Sequence, residues 1–344
     1  MGKFAEFLKE QDNEKPYKLL IVSHDDPLDP NETGPMIRKK ASELGLEVYL
    51  AEFSGMYIES KGDNKLVYSF PVDDKGKVEL PTMKTDAKYD KPFTINSKDT
   101  LIMARGLGSS VKTGNRSWNV TMKNLESEGY TVINPMKCHD ICNDKWYNQI
   151  TFQKNNINTP NTVLVRHSEG AEDAAKRLNN KFPFILKTAI GSRGVGVMWI
   201  ESMKSLHSVI QLLHREDPYV DIILQEYIKT DYDVRVVILD DKILGSIKRE
   251  VISDNDFRSN ISLGAEAKNI ELTEIEKKDS MTAAKAVGGR LVGVDFIPAK
   301  NREKEQPYIL EVNAMPGFGG IEKLKKGLTQ EILEHFKNRN NWRK

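Results

Sequence analysis

The chain has few cysteines, no long apolar run and no excess of charge of either sign. Only Cys138 and Cys142 occur among 344 residues, so we expect no disulfide framework and a reducing, cytoplasmic location. No second pair of zinc ligands follows them, which favours two incidental cysteines on one helix over a zinc site. The N-terminus has no apolar secretion signal and no segment approaches a membrane span, so we expect no membrane partner.

The charge balance argues against a nucleic-acid partner. Lys and Arg total 51 and Asp and Glu total 50, so the formal net charge is +1. A protein that binds nucleic acid through a global basic field needs a larger positive excess. With 39% hydrophobic and 29% charged residues, the composition is that of an ordinary globular protein, and 344 residues predict two or three subdomains.

The N-terminal part of the chain alternates strand and helix signals. Such β-α-β alternation predicts a parallel sheet that ends near Pro135. The predicted elements are strands at 17–23, 46–53, 100–105 and 130–134 and helices at 35–44 and 115–128. Between them, the polar and Pro-interrupted stretch 60–98 predicts an inserted β-ribbon with a hairpin turn at 73–76.

Beyond residue 136 the signals change to short strands joined by tight turns, which favours antiparallel sheets. The predicted strands lie at 158–165, 182–188, 195–200, 222–228, 234–239 and 243–250. The predicted helices lie at 144–155, 168–180, 203–215, 273–287 and 329–338. Asp144 is a predicted helix N-cap, and Thr273 with Glu276 forms a predicted capping box.

Two apolar runs near the C-terminus, 291–299 and 308–315, flank a charged loop and predict a hairpin. Because side chains alternate along a strand, Glu311 and Asn313 point to the same face. Asp295 lies within the first apolar run, where a buried carboxylate needs a partner or a metal. The oxygen atoms of two acids and one amide are suitable ligands for Mg²⁺, which usually completes its coordination with waters and nucleotide phosphates. The alternative is that these residues are solvated on an open sheet face; the ordered Asn-Ala-Met-Pro-Gly turn that follows favours the metal.

A second polar segment is the glycine-rich loop 191–196, which follows Lys187. Glycines let backbone N–H groups approach phosphate oxygens. The lysine precedes the glycines and a strand follows them, so neither a Walker A loop nor a dinucleotide fingerprint applies. By itself this segment is equally compatible with a phosphate flap and with a flexible hairpin carrying a surface lysine. Cations at Lys187, Arg249 and Arg258, with the oxygen donors, are what phosphoryl transfer requires.

Together these motifs resemble the ATP-grasp superfamily, specifically the RimK-type glutamate ligases. The matching pieces run in the family's order over roughly the last two thirds of the chain: Asn134-Pro135, Asp144-Lys145, KTAIGSRGVGV, QEYI, DYDVRVVIL, DFRSN, VGVDFIP and EVNAMPGFGGIE. The resemblance implies an α/β (α+β) protein, in which a parallel preATP-grasp domain precedes an ATP-grasp fold of two α+β subdomains with antiparallel sheets. The predicted parts are a lead-in 1–15, a preATP-grasp-like domain 16–135 with the ribbon 60–98, a first ATP-grasp subdomain 136–228 with the glycine flap, and a C-terminal subdomain 229–344 with the metal site.

The resemblance also implies contacts with ATP. Residues expected at the phosphates are Lys145, Lys187, Ser192, Gly194, Arg258, Ser259 and Asn260. Residues expected at the nucleoside are Glu226, Tyr227 and Ile228 beside the adenine, partly through backbone atoms, and Asp233 near the ribose.

The remaining implied roles concern metal and catalysis. Asp295, Glu311 and Asn313 resemble the ligands of two Mg²⁺ ions, with Glu311 bridging; Mn²⁺ is an alternative ion. The predicted catalytic residues are Lys187, Arg258 and Arg249, the last as a bidentate clamp for a substrate carboxylate.

Three features depart from the family pattern. The segment 262–265 (Ser-Leu-Gly-Ala) replaces a basic, glycine-paired stretch, Arg193 occupies a flap position that is often neutral in relatives, and the ribbon 60–98 is an addition. The first two lie where an amino acid or acceptor binds, so the family's preference for glutamate need not carry over.

The resemblance implies an ATP-dependent carboxylate–amine ligase that forms an amide bond through an acyl-phosphate. It would add an amino acid such as glutamate to a carboxylate-bearing acceptor, which is a peptide, a protein C-terminus or a small molecule. Two alternatives stay open: an ATP-grasp nucleotide-binding protein without turnover, and a carboxylate or sugar kinase. The resemblance is also compatible with a homo-oligomer. The sequence determines neither the amino acid, nor the acceptor, nor whether addition repeats.

Overall fold

The computed structural model describes residues 16–23, 33–52, 56–62, 64–69, 91–105, 115–190, 197–250 and 267–343. The described residues form two compact units. One comes from Met1–Met136 together with Gly317–Lys344, and the other from Lys137–Pro316. The C-terminal segment thus groups with the first unit, whereas the predicted boundaries kept it with the strands of the metal site.

A four-stranded parallel sheet is the centre of the first unit. Its elements in chain order are β1 (Lys18–Ser23), α1 (Thr33–Glu43), β2 (Glu47–Glu52), β3 (Tyr57–Lys61), β4 (Asn64–Tyr68), β5 (Phe93–Asn96), β6 (Thr100–Arg105), α2 (Asn115–Ser127) and β7 (Thr131–Ile133). The parallel sheet has the order β2-β1-β6-β7. Every residue of β6 is buried, as continuous apolar runs in parallel sheets lead one to expect. The predicted β-α-β opening is confirmed.

The inserted stretch forms a separate antiparallel sheet in the order β3-β4-β5. Its buried residues Val67 and Ile95 belong to the same apolar cluster as Leu20 and Ile102 of the parallel sheet. The ribbon is therefore anchored to the core of the first unit. The predicted hairpin turn at 73–76 lies outside the described residues.

Two antiparallel sheets form the second unit. Its elements, with a first helix that begins at Met136, are α3 (Met136–Asn143), α4 (Lys145–Lys154), β8 (Thr162–Val165), α5 (Ala171–Arg177), β9 (Phe184–Thr188), β10 (Val197–Ile200), α6 (Met203–Glu216), β11 (Ile222–Glu226), β12 (Tyr232–Leu239), β13 (Lys242–Glu250), β14 (Ala267–Asn269), α7 (Glu274–Ala286), β15 (Leu291–Ile297) and β16 (Tyr308–Asn313). The sheet orders are β10-β9-β11-β8 and β14-β13-β12-β15-β16. The predicted fold class is confirmed, with most predicted elements present and several shorter than expected.

Local sequence explains where α4, which carries Lys145, and α7 begin. The Asp144 carboxylate accepts hydrogen bonds from the backbone N–H groups of Trp146 and Tyr147, at 2.8 and 3.0 Å, and so starts α4. The capping box of Thr273 and Glu276 starts α7 in the same way. Both predicted caps are confirmed. The predicted helix 168–180 is instead a 3₁₀ turn at Ser168–Gly170 followed by the short α5.

The C-terminal segment packs within the first unit. It contains α8 (Gly319–Leu324), α9 (Leu328–His335) and a 3₁₀ helix at Arg339–Arg343. The hydroxyl of the buried Tyr17 donates to the Leu333 carbonyl at 3.1 Å, and its ring meets Trp342 edge-on. The predicted terminal helix corresponds to α9, whereas α8 was not predicted. Across the described ranges, none of the helices is long and apolar enough to cross a membrane.

Candidate active site

The three predicted metal ligands lie side by side on β15 and β16. Asp295 is the register partner of Glu311, and Gly293 is that of Asn313. Direct partners in an antiparallel pair share a face, with Cβ atoms about 5 Å apart. The Asn313 side-chain amide donates to Glu311 Oε1 at 3.2 Å. The alternation that predicted a common face is therefore matched by the observed register.

Asp295 is held in place by two arginines. It is only 2% exposed. Arg235, its partner across β12, donates through Nε and Nη2 to Oδ1 and Oδ2 at 2.7 and 2.6 Å. Arg249 Nη2 lies 3.1 Å from Oδ2. Burial alone would favour the neutral acid, but the two guanidinium groups outweigh it and hold the pKa of Asp295 below its ordinary value.

Arg249 also holds a second carboxylate, that of Asp233. Its Nε and Nη2 donate to the two Asp233 oxygens, each at 2.6 Å, and both residues are buried. Burial would lower the pKa of Arg249, but Asp295 and Asp233 overcome this and raise it. Both Asp233 oxygens and two Arg249 donors are thus engaged inside this network rather than turned towards a ligand.

Arg235 was absent from the predicted site, although it completes this network. A signal existed in the segment DYDVRVVIL, where Asp233 and Arg235 are spaced by two and so share a strand face. The pairing of Arg235 with Asp295 depends on strand register, and the sequence does not display it.

The two predicted phosphate-binding lysines lie within the electrostatic reach of Glu311. Burial lowers the pKa of Lys187 to about 8; the Glu311 charge opposes this and the nearby Lys145 charge adds to it. The pKa of Lys145 is also lowered by burial, against the charges of Glu311 and Asp144. Lys187 Nζ donates to Gln225 Oε1 at 2.8 Å. Both lysines therefore lie close enough to Glu311 for its charge to act on them.

The predicted adenine linker follows β11. Glu226 is fixed by the chain before β8, because its Oε1 accepts from the backbone N–H of Asn161 at 2.7 Å. The Tyr227 ring makes a T-shaped contact with the Trp199 ring of β10, with ring centroids 4.7 Å apart. Ile228 comes next and is partly buried. Trp199 was not predicted as a site residue, although an aromatic residue three positions after the glycine loop was a visible signal.

The remaining predicted site residues lie outside the described residues. They are Ser192 and Gly194 of the glycine loop and Arg258, Ser259 and Asn260, and the same holds for Arg193 and the segment 262–265. Their roles stay predictions.

The oxygen donors present fit a divalent cation. A carboxylate has about four lone-pair positions. Two of those of Asp295 accept from Arg235, and Arg249 Nη2 lies 3.1 Å from Oδ2, which leaves at least one for an ion. Asn313 turns its amide nitrogen to Glu311, so its oxygen is the group that an ion would use. In the part of the chain that the structure describes, no three His, Cys, Asp or Glu residues form a metal cluster, so the amide is needed as third donor.

Comparison with known proteins adds independent findings. The family model described as RimK-like ATP-grasp domain matches residues 142–336. A relative from Histophilus somni (strain 2336), called "Probable alpha-L-glutamate ligase", is 29% identical over 273 residues, which cover 77% of this chain and 87% of the relative.

Solved structures share the fold at low identity. The RimK domain protein ATP-grasp from Sphaerobacter thermophilus superimposes with a TM-score of 0.63 at 12% identity, covering 92% of this chain and 98% of that one. The macrocyclase MdnC from Microcystis aeruginosa MRC, bound with precursor peptide MdnA, gives 0.64 at 14% identity, covering 94% and 99%. The family model spans more than half of the sequence and includes both lysines and the whole oxygen-donor cluster. This chain therefore belongs to the RimK-like ATP-grasp family of ligases.

Proposed function

We propose that this protein joins an amino acid, such as glutamate, to the carboxylate of a peptide or protein acceptor through an acyl-phosphate. The observation that carries the proposal is the convergence of Lys145 and Lys187 with Glu311, beside Asp295 and Asn313, in one unit. Cations near a set of hard oxygen donors suit a nucleotide triphosphate with divalent ions.

In the first step an acceptor carboxylate oxygen attacks the γ-phosphorus of ATP, and the bond from that phosphorus to the β-γ bridging oxygen breaks, which releases ADP. Lys145 and Lys187 neutralise phosphate charge and align the chain of phosphates. Asp295, Glu311 and Asn313 would hold two Mg²⁺ ions, with Mn²⁺ as a substitute. When bound, such ions screen the triphosphate and polarise the transferred group.

Arg235 and Arg249 support this step indirectly. They keep Asp295 ionised and fix the direction of its remaining lone pair, so that the donor set is preorganised. Asp233 and Asp295 engage Nε and Nη2 of Arg249, so only Nη1 is proposed to contact a substrate carboxylate, and the predicted bidentate clamp is reduced to this one nitrogen.

In the second step the amine of the amino acid attacks the acyl carbonyl carbon. The C–N bond forms, the C–O bond to phosphate breaks, and the proton of the amine passes to solvent. Arg258 is assigned to the developing oxyanion, with Ser259 and Asn260 beside the phosphates. No nucleophilic Ser or Cys is required.

The substrate class rests on two comparisons. The relative is named a glutamate ligase, and a structural neighbour holds a precursor peptide, so an amino acid and a peptidic acceptor are the chemistry tested first. We also assign the enzyme to the cytoplasm, because ATP is supplied there and the free thiols of Cys138 and Cys142 stay reduced. A small-molecule acceptor and a homo-oligomer remain part of the proposal to be tested.

The test is mass spectrometry of a native cell extract incubated with the protein, ATP, Mg²⁺ and mixed amino acids. We expect ADP release and an acceptor heavier by one amino acid minus water, both lost in Glu311→Gln. A phosphorylated product that never gains an amine would instead establish a kinase. Release of AMP would contradict the acyl-phosphate, and nucleotide binding without any product would favour a protein lacking turnover.

A further inference from the structure

A directed chain of hydrogen bonds runs from the backbone to Lys187. The Thr162 hydroxyl donates to the Pro160 carbonyl at 2.8 Å. The same Thr162 oxygen accepts from Gln225 Nε2 at 2.9 Å, and Gln225 Oε1 accepts from Lys187 Nζ at 2.8 Å. Gln225 is buried, with 6% of its surface exposed. A single orientation of its amide therefore serves both neighbours.

The direction of this chain follows from donor and acceptor chemistry. An ammonium group only donates, so Gln225 must turn its oxygen to Lys187. Its NH₂ group then needs an acceptor, which Thr162 supplies because the Thr162 proton is engaged by the Pro160 carbonyl. Reversal of the amide would place NH₂ against the ammonium group, and a buried donor would be left without an acceptor.

Strand register builds this arrangement into the sheet. Thr162 and Gln225 are direct partners across β8 and β11. Lys187 pairs with Ile223, so Gln225 is its diagonal neighbour on the same face, within reach of long side chains. The contact between β8 and β11 does not depend on the Thr162 hydroxyl, because Glu226 N–H donates to the Asn161 carbonyl at 2.9 Å.

We propose that Thr162 and Gln225 are positioning residues: they fix the ammonium group of Lys187 where it contacts the phosphates of the nucleotide. The inference rests on the proposed function, since it assigns Lys187 to the phosphates. Neither residue was among the predicted site residues. Without the Thr162 hydroxyl the buried Gln225 NH₂ group has no acceptor, so the amide that holds Lys187 is no longer anchored on its other side.

The test measures binding to the full-length protein by calorimetry with two probes in the presence of Mg²⁺. The probes are AMPPNP, which carries three phosphates, and adenosine, which carries none. Thr162→Val should weaken AMPPNP binding about fivefold, the usual effect of losing one hydrogen bond between neutral groups, and leave adenosine binding unchanged. Thr162→Ser, which keeps the hydroxyl, should retain wild-type affinity. Thr282→Val, on an exposed turn of α7, is the matched control for the loss of a threonine hydroxyl.

Two further variants separate positioning from a general structural effect. In Gln225→Glu either carboxylate oxygen can accept from Lys187, and the side chain has no NH₂ group that needs Thr162 as acceptor. Adding Thr162→Val to this variant should therefore not weaken AMPPNP binding further. In a Lys187→Met background Thr162→Val should also add nothing. The positioning role would be overturned if Thr162→Val weakened the binding of AMPPNP and adenosine equally. It would also be overturned if Thr162→Val bound AMPPNP with wild-type affinity. Failure of the wild-type protein to bind AMPPNP would instead overturn the proposed function, and with it the positioning role of Thr162 and Gln225.

Discussion

Removal of Arg235 is the sharpest test of the network around Asp295. Asp295 is 2% exposed and accepts two short hydrogen bonds from Arg235, and Arg249 forms a further ion pair with it at 3.1 Å. Arg235→Met keeps much of the side-chain volume but removes both short bonds. Removing one partner of a buried ion pair costs about 3–5 kcal/mol. Because Arg249 stays, we expect the lower end, about 3 kcal/mol at pH 7.

The pH dependence gives this prediction a sign. In the wild type the pKa of Asp295 is below its unfolded value, so its contribution is present above the unfolded pKa and falls as acid protonates the native state. Without Arg235, burial dominates and should raise the pKa of Asp295 above the unfolded value. The variant should then regain stability relative to wild type as the pH is lowered from 7 through the raised pKa of Asp295.

The assay is urea unfolding monitored by hydrogen exchange in peptides from β12 and β15. A local readout is needed because the two units need not unfold together. Lys285→Met is the matched control: it removes an exposed ion pair with Asp241, and we expect an effect below about 0.5 kcal/mol. Comparable losses in Arg235→Met and Lys285→Met would refute the reasoning. So would a deficit in Arg235→Met that grows on acidification.

Three other predictions concern turnover and folding. Burial lowers the pKa of Lys187 to about 8, so its charged form is lost above that pH and kcat/KM for ATP should fall there. Lys187→Arg stays protonated, so its pH–rate profile should show the fall only at higher pH. Chelation of divalent ions should stop ADP release, and Mg²⁺ or Mn²⁺ should restore it in the wild type but not in Glu311→Gln, as a coupled nucleotide assay would show. Asp144→Ala removes two cap bonds and should destabilise α4 by about 1 kcal/mol in urea unfolding, whereas an unchanged midpoint would contradict the cap.

Patterns of short range predicted much of this fold. The alternation in 308–315 placed Glu311 and Asn313 on one face, and the structure pairs that face with Asp295. The N-cap at Asp144 and the capping box at Thr273 were readable because a cap is a contact among residues two or three apart. The joint order of the family motifs predicted the ATP-grasp fold, which no single motif does.

Contacts of long range were not readable. Arg235 and Asp295 are 60 residues apart, and their pairing needs the register of two strands. The same is true of Trp199 against Tyr227 and of Gln225 against Lys187. The grouping of α8 and α9 with the first unit likewise depends on which core is available to their apolar faces.

The sequence by itself determined most of the element types, the capped helix starts at Asp144 and Thr273, and the residues that carry oxygen and nitrogen donors, because these follow from local periodicity and backbone hydrogen bonding. Tertiary structure decided which donors meet: it set Asp295 between two arginines, gave Lys187 a depressed pKa through burial, and oriented Gln225. The reason is physical. Burial and strand register set the strength of a charge and the direction of a hydrogen bond, and both arise only when distant segments pack together.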